Sequence, residues 1–248
     1  MHMKNFREHY LLTILDQFDL STLPLDVFLS KFFRAHKAIG SKDRSYICET
    51  LYTLIRWKGL LDHVCKKPIT WKKRFDALTD HNLETLSQDE TIPSHVRVSF
   101  PKSFFEKIAK PFGQEKAIEF CLTSNLPAPT TIRINPLKIS RDSLLAKWEQ
   151  KYPIEPCIHS KYGIIFKKRV NFFELDEFKE GLFEVQDEGS QIVAAHVHAK
   201  PGEHVLDFCA GSGGKTLAFA HQMGETGQIY LYDIRPHALT QAKKRLKR

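Results

Sequence analysis

The sequence predicts a multidomain α/β protein, and three observations support this fold class. Residues 1–125 carry apolar side chains at helical spacing, residues 126–180 mix alternating and helical patterns, and residues 181–248 contain an apolar strand that runs into a glycine-rich turn. A chain of 248 residues with 42% hydrophobic content exceeds the usual size of one domain and can bury a sizeable core. We therefore expect three domains, with boundaries near residues 125 and 180.

The first part, residues 1–125, is predicted to be helical. Apolar residues recur about every four positions in two early segments and in two later ones, which end near Gly113 and Asn125. These residues are Phe6, Tyr10, Ile14 and Phe18, then Ile47, Leu51 and Ile55, then Phe104, Phe105, Ile108 and Phe112, and finally Ala117, Ile118, Cys121 and Leu122. We interpret all of them as core positions, the aromatic residues included.

The middle part, residues 126–180, is predicted to be a small α+β subdomain. Its first segment, Leu126-Pro127-Ala128-Pro129, cannot continue a helix because the two prolines lack N–H donors and restrict the residues before them. Beyond this linker, Thr131–Asn135 and Gly163–Phe166 have the pattern of strands, and Ser143–Glu149 has helical spacing.

The third part, residues 181–248, contains the most informative segment. A helix is predicted over Gln191–His198, and an apolar strand follows at Val205–Phe208. The strand runs into Cys209-Ala210-Gly211-Ser212-Gly213-Gly214-Lys215-Thr216, where glycines let a ligand approach the backbone. The helix that opens there offers unpaired N–H groups, so a small-molecule site is predicted at this turn.

Spacing separates the ligands that such a turn could bind. A phosphate-binding P-loop needs glycine five residues before Gly214, where Cys209 stands, so that interpretation fails. The dinucleotide fingerprint counted from Gly211 needs Gly or Ala where Thr216 stands, which weakens it. A second predicted strand, Gln228–Asp233, ends in an acid at the position from which such folds bind ribose hydroxyls. A ribose-bearing cofactor is therefore expected.

At these residues the chain resembles the S-adenosyl-L-methionine-dependent RNA cytosine-5 methyltransferases of the Sun/NOL1/NOP2 group. Phe183–Gln191, with the sequence FEVQDEGSQ, resembles the signature before their cofactor domain. Cys209–Thr216 resembles their first motif, with Gly211-Ser212 where many members carry Ala-Pro. Arg133-Ile134-Asn135 is similar to an upstream Arg-x-Asn element, and Asp43–Arg56 to the NusB-like helical extension of bacterial members. The resemblance is strongest from about residue 183.

The resemblance implies a function for each part of the chain. Residues 1–125 would form a NusB-like RNA-binding domain, residues 126–180 an RNA-facing subdomain, and residues 181–248 part of a Rossmann-like methyltransferase domain. S-adenosyl-L-methionine would be the cofactor. RNA would be the partner, and ribosomal RNA is the kind of RNA that the resemblance favours. The implied cofactor-binding residues are Cys209, Ala210, Gly211, Ser212, Gly213, Gly214, Lys215 and Asp233, the last where the family places the acid that holds the ribose. The implied RNA contacts are Arg133, Asn135 and Lys167-Lys168-Arg169, with an ordinary surface strand as the alternative.

The same resemblance limits the prediction of catalytic residues. In that family a cysteine thiolate attacks C6 of cytosine, the methyl group passes to C5 and a second cysteine assists release, both on loops after later strands. Because the chain ends soon after Asp233, we expect the catalytic cysteines beyond its C-terminus and assign none here. We expect an N-terminal portion of a longer enzyme, inactive by itself, whose sheet exposes an apolar edge.

The five cysteines are not predicted to substitute for the missing nucleophile. Cys48, Cys65, Cys121 and Cys157 fit ordinary packed or surface thiols, because free cysteine behaves as a small hydrophobe. Their scattered positions favour neither a zinc site nor a disulfide framework. His196 and His198 stand two residues apart on the predicted helix, where they would point to different sides, so no metal site is expected.

The formal net charge of +8 is unevenly distributed. Residues 234–248 contain basic side chains and no acid, so most of the net charge lies there and bulk charge says little about nucleic acid. Locally, Lys66–Arg74 interleaves basic residues with Trp71, which could stack on a base while the basic residues meet RNA phosphates. An ordinary solvated loop explains this segment equally well.

Two functions from different classes follow from the sequence. The favoured function is methylation of cytosine C5 in RNA, and the alternative is a non-catalytic RNA-binding protein with a vestigial cofactor loop. No signal region follows the N-terminus, and no run approaches the roughly eighteen apolar residues of a membrane span. We therefore expect a cytoplasmic protein with no membrane partner.

Overall fold

A computed structural model of the chain describes residues 3–168 and 170–248, with side chains described from Phe6 onward. These residues form two compact units, Met1–Pro127 and Ala128–Arg248. The mixed α/β fold class is confirmed. The division into three domains stays a prediction, and Arg169 of the predicted basic cluster lies outside the described residues.

The first unit is helical throughout its described residues. Its helices are α1 (Met3–Phe18), α2 (Leu25–Ala35), α3 (Ser41–Arg56), α4 (Lys58–Val64), α5 (Trp71–Asp80), α6 (Leu83–Gln88), α7 (Ser94–Arg97), α8 (Lys102–Phe112) and α9 (Gln114–Asn125). The helical periodicity predicted the core correctly for α1 and α3, because Ile14, Ile47 and Leu51 are fully buried in one cluster. Thr70 and Asn82 begin α5 and α6 as side-chain caps that accept backbone N–H groups.

The aromatic residues of α8 and α9 are not all core positions, so that expectation was wrong. Phe105 is buried, whereas Phe104 is 44% exposed, Phe112 64% and Phe120 51%. Phe104 and Phe112 are separated by two helical turns and share a face, while Phe105 lies on the neighbouring face that packs with Ala117 and Cys121. The two helices thus bury one apolar face against each other and leave a second one open.

The second unit contains two sheets and the helices that pack on them. The elements are β1 (Thr130–Ile134), α10 (Arg141–Trp148), β2 (Ile154–Pro156), β3 (Gly163–Phe166), α11 (Asp176–Lys179), β4 (Phe183–Val185), α12 (Glu188–Ala195), β5 (His204–Asp207), α13 (Gly214–Phe219), β6 (Gln228–Leu231) and α14 (Pro236–Leu246). Strands β2-β3-β1-β4 form an antiparallel sheet in that order, and β5 pairs with β6 in parallel. Short 3₁₀ helices cover Phe172–Glu174 and Ala220–Met223.

The antiparallel sheet has a largely aromatic core. Trp148 of α10 packs edge-on against Phe166 of β3 and Phe183 of β4, and each of these side chains is at most 3% exposed. Phe183 therefore joins the signature segment to the middle sheet. The strands predicted at Thr131–Asn135 and Gly163–Phe166 and the helix predicted at Ser143–Glu149 are confirmed, to within two residues at each end.

The parallel pair β5–β6 buries one face and exposes the other. Val205 and Ile229 pack on Phe219, the last residue of α13, and on Met223 at the end of the 3₁₀ helix that follows. On the opposite face Leu206 is 59% exposed and Tyr230 51%. Because side chains alternate along a strand, one face of each strand meets α13 while the other is left uncovered by the described residues.

Helix α12 is shorter at its C-terminus than predicted. It begins at Glu188, capped by the Asp187 side chain, and ends at Ala195, so His196 and His198 lie beyond it. His198 has a left-handed backbone with φ +50°. The two imidazole rings are 5.9 Å apart instead of pointing to different sides, because the chain leaves the helix between them.

Candidate functional site

The glycine-rich turn connects β5 to α13 and adopts a backbone that glycine favours. Gly211 and Gly213 have φ of +54° and +77°, in the left-handed region that other residues rarely adopt. A Cβ atom at residue 213 would also come within 3.3 Å of the Cβ of Ala242 on α14. The glycines therefore let this turn be tight and let α14 pack directly against it.

Asp233 closes the turn from the end of β6. Its Oδ2 accepts a hydrogen bond from the Gly211 backbone N–H at 2.8 Å. Arg235 fills the remaining positions: its backbone N and its Nε each donate to Oδ1 at 2.9 Å, and its Nη2 donates to Oδ2 at 3.2 Å. The Asp233 side chain is 6% exposed and that of Arg235 is 60% exposed. Hydrogen bonds from the Arg235 side chain and backbone hold the pKa of the Asp233 carboxyl far below its usual range.

Two further contacts fix the turn to the parallel sheet. Thr216 is buried, and its hydroxyl donates to Asp207 Oδ2 at 2.6 Å across the turn. The Ala210 backbone N–H donates to the Tyr232 carbonyl at 2.9 Å, which continues the pairing of β5 and β6 beyond the strands. Residues 210–216 and Asp233 are consequently joined by hydrogen bonds at the edge formed by the carboxyl ends of two parallel strands, where ligands of α/β sheets bind.

The predicted cofactor residues occupy this edge in different ways. Cys209 and Lys215 are exposed, Ser212 and Gly214 are half-buried, and Ala210 is buried. Asp233 is brought next to Gly211 although the two are separated by 22 residues. The structure thus places the predicted set together, and its role in binding stays a prediction.

Sequence reasoning missed the residues that support the turn from behind. Gln186 is buried; its Nε2 donates to the Gly214 carbonyl at 3.1 Å, and its Oε1 accepts from Arg133 Nε at 2.7 Å. Arg245 of α14 donates through Nη1 to the Ser212 carbonyl at 3.0 Å and through Nη2 to Glu184 at 2.8 Å. Their signal in the sequence was the resemblance itself, because Glu184 and Gln186 belong to the signature segment.

Arg133 is a buried structural residue, which corrects its assignment as an RNA contact. It is 3% exposed, and besides Gln186 it donates through Nη1 to the Leu217 carbonyl at 3.2 Å. Burial lowers the pKa of its guanidinium to about 10, so the side chain stays charged at neutral pH. Asn135 is also occupied, since its side chain donates to the Gly181 carbonyl at 3.3 Å and accepts from Leu137 N at 3.1 Å.

The basic segment Lys66–Arg74 is not a free RNA-stacking surface. Trp71 is 6% exposed, and its indole N–H donates to Asp19 at 2.6 Å. Lys72 pairs with Asp76 and Glu8, and Arg74 pairs with Asp62 at 2.6 Å while its guanidinium lies 4.4 Å from the Trp71 ring centroid. Intramolecular acids thus pair with Lys72 and Arg74, and the Trp71 ring is buried in the core of the first unit. In the second basic cluster, Lys167 pairs with Glu155 at 2.6 Å.

The cysteines behave largely as expected. Cys121 and Cys157 are buried and Cys209 is exposed. Burial raises the pKa of the Cys157 thiol to about 12, and burial also raises that of Cys121, so neither is an activated thiolate. Within the described residues, no three His, Cys, Asp or Glu side chains converge as a metal site would require. No helix among them is both long and apolar enough to cross a membrane.

Two protein families match segments of the chain between residue 100 and its end. A "Methyltr_RsmF/B-like, ferredoxin-like domain" matches residues 100–172, and a "Methyltransferase domain" matches residues 199–248. The methyltransferase match spans the glycine turn and Asp233.

Curated relatives agree with these matches. Ribosomal RNA small subunit methyltransferase B from Pseudomonas putida is 30% identical over 154 residues, which are 62% of this chain and 35% of the relative. The tRNA (cytosine(49)-C(5))-methyltransferase from Pyrococcus abyssi is 32% identical over 141 residues, 54% of this chain and 45% of that protein. The chain is thus similar to part of several methyltransferases that act on ribosomal or transfer RNA. The matched segment spans only about a third of the length of the bacterial relatives.

Solved structures share the fold. The crystal structure of a methyltransferase homologue from Pyrococcus horikoshii is 28% identical, with a TM-score of 0.55, over 62% of this chain and 50% of that one. Another crystal structure matches 96% of this chain and 65% of its own with a TM-score of 0.67 at 20% identity, which shows a common fold. The matched methyltransferase domain implies a methyl-donor cofactor, and the edge at the glycine turn is the candidate place for it.

Proposed function

We propose that this chain takes part in S-adenosyl-L-methionine-dependent methylation of cytosine C5 in RNA, with ribosomal RNA as the substrate class. The names of the relatives support this proposal. One specifies RNA of the small ribosomal subunit, another cytosine C5 in tRNA, and a third cytosine C5 in rRNA. Residues 181–248 would then be part of a Rossmann-like cofactor domain, and residues 1–125 a NusB-like RNA-binding domain. The parallel β5–α13–β6 unit supports the first assignment.

The single observation that supports the cofactor site best is the bond between Asp233 and Gly211. It places an acid from the end of the second strand against the glycine turn after the first, where an acid can accept ribose hydroxyls. The positive φ of Gly211 and Gly213 keeps side chains out of this edge. These features fit an adenosine-bearing cofactor, which when bound supplies the methyl group.

The residues of this chain would bind and orient that cofactor. Asp233 would hold the ribose, and the backbone from Cys209 to Lys215 would line the remainder of the ligand. A carboxylate offers about four lone-pair positions, and the Gly211 and Arg235 bonds use four. Ribose binding therefore requires the exposed Arg235 side chain to leave the carboxylate, while the Gly211 bond can remain.

The proposal is tested by calorimetric titration of the chain with S-adenosyl-L-methionine. Asp233→Asn should weaken binding roughly tenfold to a hundredfold, because a charged acceptor for the ribose is lost. The matched control is Asp176→Asn, which neutralises an aspartate whose side chain is 83% exposed in the same unit. Equal affinities for the two variants would contradict the site. Binding of RNA without any cofactor binding would instead favour the non-catalytic alternative.

A further inference from the structure

A second cavity lies in the Ala128–Arg248 unit, at the opposite end of α13 from the glycine turn. It has a volume of about 480 Å³ and opens between the C-terminal end of α12, the 3₁₀ turn after α13 and the Ser160–Tyr162 turn before β3. This volume lies within the range of roughly 300–1,000 Å³ typical of small-molecule sites. The cavity can therefore accept more than a single small ion.

The lining of this cavity is cationic. Arg133 lies at its floor, Lys161 lies at its rim, and no aspartate or glutamate is among the described residues that line it. The two hydrogen bonds of Arg133 described above use two of its five N–H donors. Lys161 is exposed and has no acid within ion-pair distance among the described residues; its Nζ lies 4.8 Å from the Tyr162 ring centroid. Lys161 thus places one accessible positive charge at the opening, and the buried Arg133 adds positive potential behind it without itself reaching a ligand.

Four imidazoles add to this lining: His159, His196, His198 and His221. His196 follows the last residue of α12, and its Nδ1 lies 2.8 Å from the Ile192 carbonyl. Burial lowers the pKa of His221, whose Nε2 lies 3.3 Å from the Tyr162 hydroxyl, so this imidazole is the one that favours the neutral state.

The nearest acid is already occupied. Glu188 contacts the same turn, where its Oε1 accepts the His159 and Ser160 backbone N–H groups at 2.6 and 2.9 Å. Its carboxylate therefore stabilises the turn through backbone bonds. An anion is the ligand that this lining favours, because Lys161 and Arg133 are basic and no acid is among the described lining residues.

We propose that this cavity binds a phosphate group of a single-stranded RNA segment, at a site separate from the glycine turn. Lys161 and the rim imidazoles contact the phosphate, and Tyr162 offers a half-buried aromatic ring beside it. The choice of RNA over a free phosphate compound rests on the proposed function. The anionic chemistry of the ligand rests on the lining alone.

The experiment is fluorescence anisotropy of a labelled single-stranded RNA oligonucleotide with the full chain at several salt concentrations. Lys161→Ala should weaken binding about threefold to tenfold and reduce the slope of log K against log salt by about 0.7. Lys200→Ala is the matched control, since it removes an exposed lysine near α12 that does not line the cavity. Equal effects of the two substitutions on affinity and slope would overturn the proposal.

The pH dependence of RNA affinity is a second measurement, which tests the histidines at the rim of the cavity. Affinity of the unaltered chain should rise as pH falls from about 8 to about 6.5, because histidine is the side-chain type that changes charge near neutral pH. The double variant His196→Gln/His198→Gln should flatten this dependence, whereas His81→Gln in the first unit should leave it unchanged. A double variant that keeps the full pH dependence would contradict the role of the rim.

Two controls separate this proposal from others. Inorganic phosphate that competes with the RNA at equal concentration would overturn the RNA assignment and indicate a small phosphate ligand, and an acidic peptide that competes better than RNA would overturn it in favour of a protein partner. Calorimetry with S-adenosyl-L-methionine should give the same affinity for Lys161→Ala as for the unaltered chain. Loss of RNA binding with unchanged cofactor binding is therefore a result about the cavity. Loss of cofactor binding with unchanged RNA binding is a result about the proposed function.

Discussion

Asp233 and Arg235 form an ion pair at the candidate cofactor edge, with 2.9 Å between Asp233 Oδ1 and Arg235 Nε. Because Arg235 stabilises the ionised carboxyl, the pKa of Asp233 lies far below its ordinary value of 3.8. A carboxyl whose pKa is depressed on folding contributes stability that is fully present above the unfolded value and is lost as pH falls through the folded value. The contact should thus persist under mildly acidic conditions.

We predict that Arg235→Ala raises the pKa of Asp233 back toward its ordinary range. The Gly211 N–H would remain as a donor, so the return should be incomplete. The measurement is an NMR titration of the Asp233 carboxyl carbon in both proteins between about pH 2 and 6. Identical titration curves would show that Arg235 does not hold the carboxylate in solution.

Gly213 and Gly214 are neighbours with different tolerance for a side chain. Gly213→Ala should destabilise the chain by about 1–2 kcal/mol, because the new residue must keep a left-handed φ and its Cβ meets Ala242 at 3.3 Å. Gly214→Ala is the control, since its Cβ would meet nothing closer than 3.7 Å. Urea unfolding of both variants measures the difference, and equal midpoints would contradict this account.

At the scale of elements, α14 is anchored to the glycine turn by Arg245. This side chain is 21% exposed and links Glu184 of β4 to the Ser212 carbonyl, so one residue connects three elements of the unit. Arg245→Ala should lower the free energy of unfolding by roughly 1.5–3 kcal/mol, since a charged donor and its acceptors lose their bonds. Lys244→Ala, an exposed neighbour, should change it little.

A double-mutant cycle checks the reason for the Arg245 effect. If Arg245 acts through Glu184, the combined variant Arg245→Ala/Glu184→Ala should lose less stability than the two single losses added together. Strict additivity would show that the two side chains act independently. The ion pair of Glu184 with Arg248 provides a second partner, so some loss from Glu184→Ala alone is expected in either case.

The elements around the site were predictable because their signals are local. Strand alternation at Thr131–Asn135 and the glycines after Val205 lie within a few residues of the structure they determine. The roles of Arg133 and Trp71 were not predictable in the same way. Arg133 meets Gln186, 53 residues later, and Trp71 meets Asp19, 52 residues earlier. From the sequence alone, a basic or aromatic residue is a candidate for RNA binding. The structure is needed to show that a distant residue already occupies its side chain.

At the scale of the whole molecule, each unit leaves an apolar surface uncovered among the described residues. In the second unit this surface comprises Leu206, Tyr230 and the stacked pair Phe208–Tyr232, whose ring centroids are 4.8 Å apart. Contiguous exposed apolar patches of this kind mark interaction sites or cause self-association. They occur here on the face of β5–β6 that α13 does not cover.

We predict that the chain self-associates through this face in a concentration-dependent manner. Leu206→Gln combined with Tyr230→Gln should shift light-scattering mass toward the value of one chain, because the patch loses apolar area. The control is Leu137→Gln, which changes a leucine that is 68% exposed elsewhere in the same unit. An unchanged mass in the double variant would exclude this face as the contact.

The contact between Cys157 and Gly163 makes the reactivity of the Cys157 thiol a measure of how often the antiparallel sheet opens. A Cβ at residue 163 would clash with the Cys157 sulfur, and Cys157 is 4% exposed, so we expect this thiol to react only when β3 moves away from it. Cys209 is exposed, so its alkylation gives the rate for a thiol that needs no opening of the structure. The delay between alkylation of these two thiols therefore measures how often the middle sheet opens while the protein remains otherwise folded.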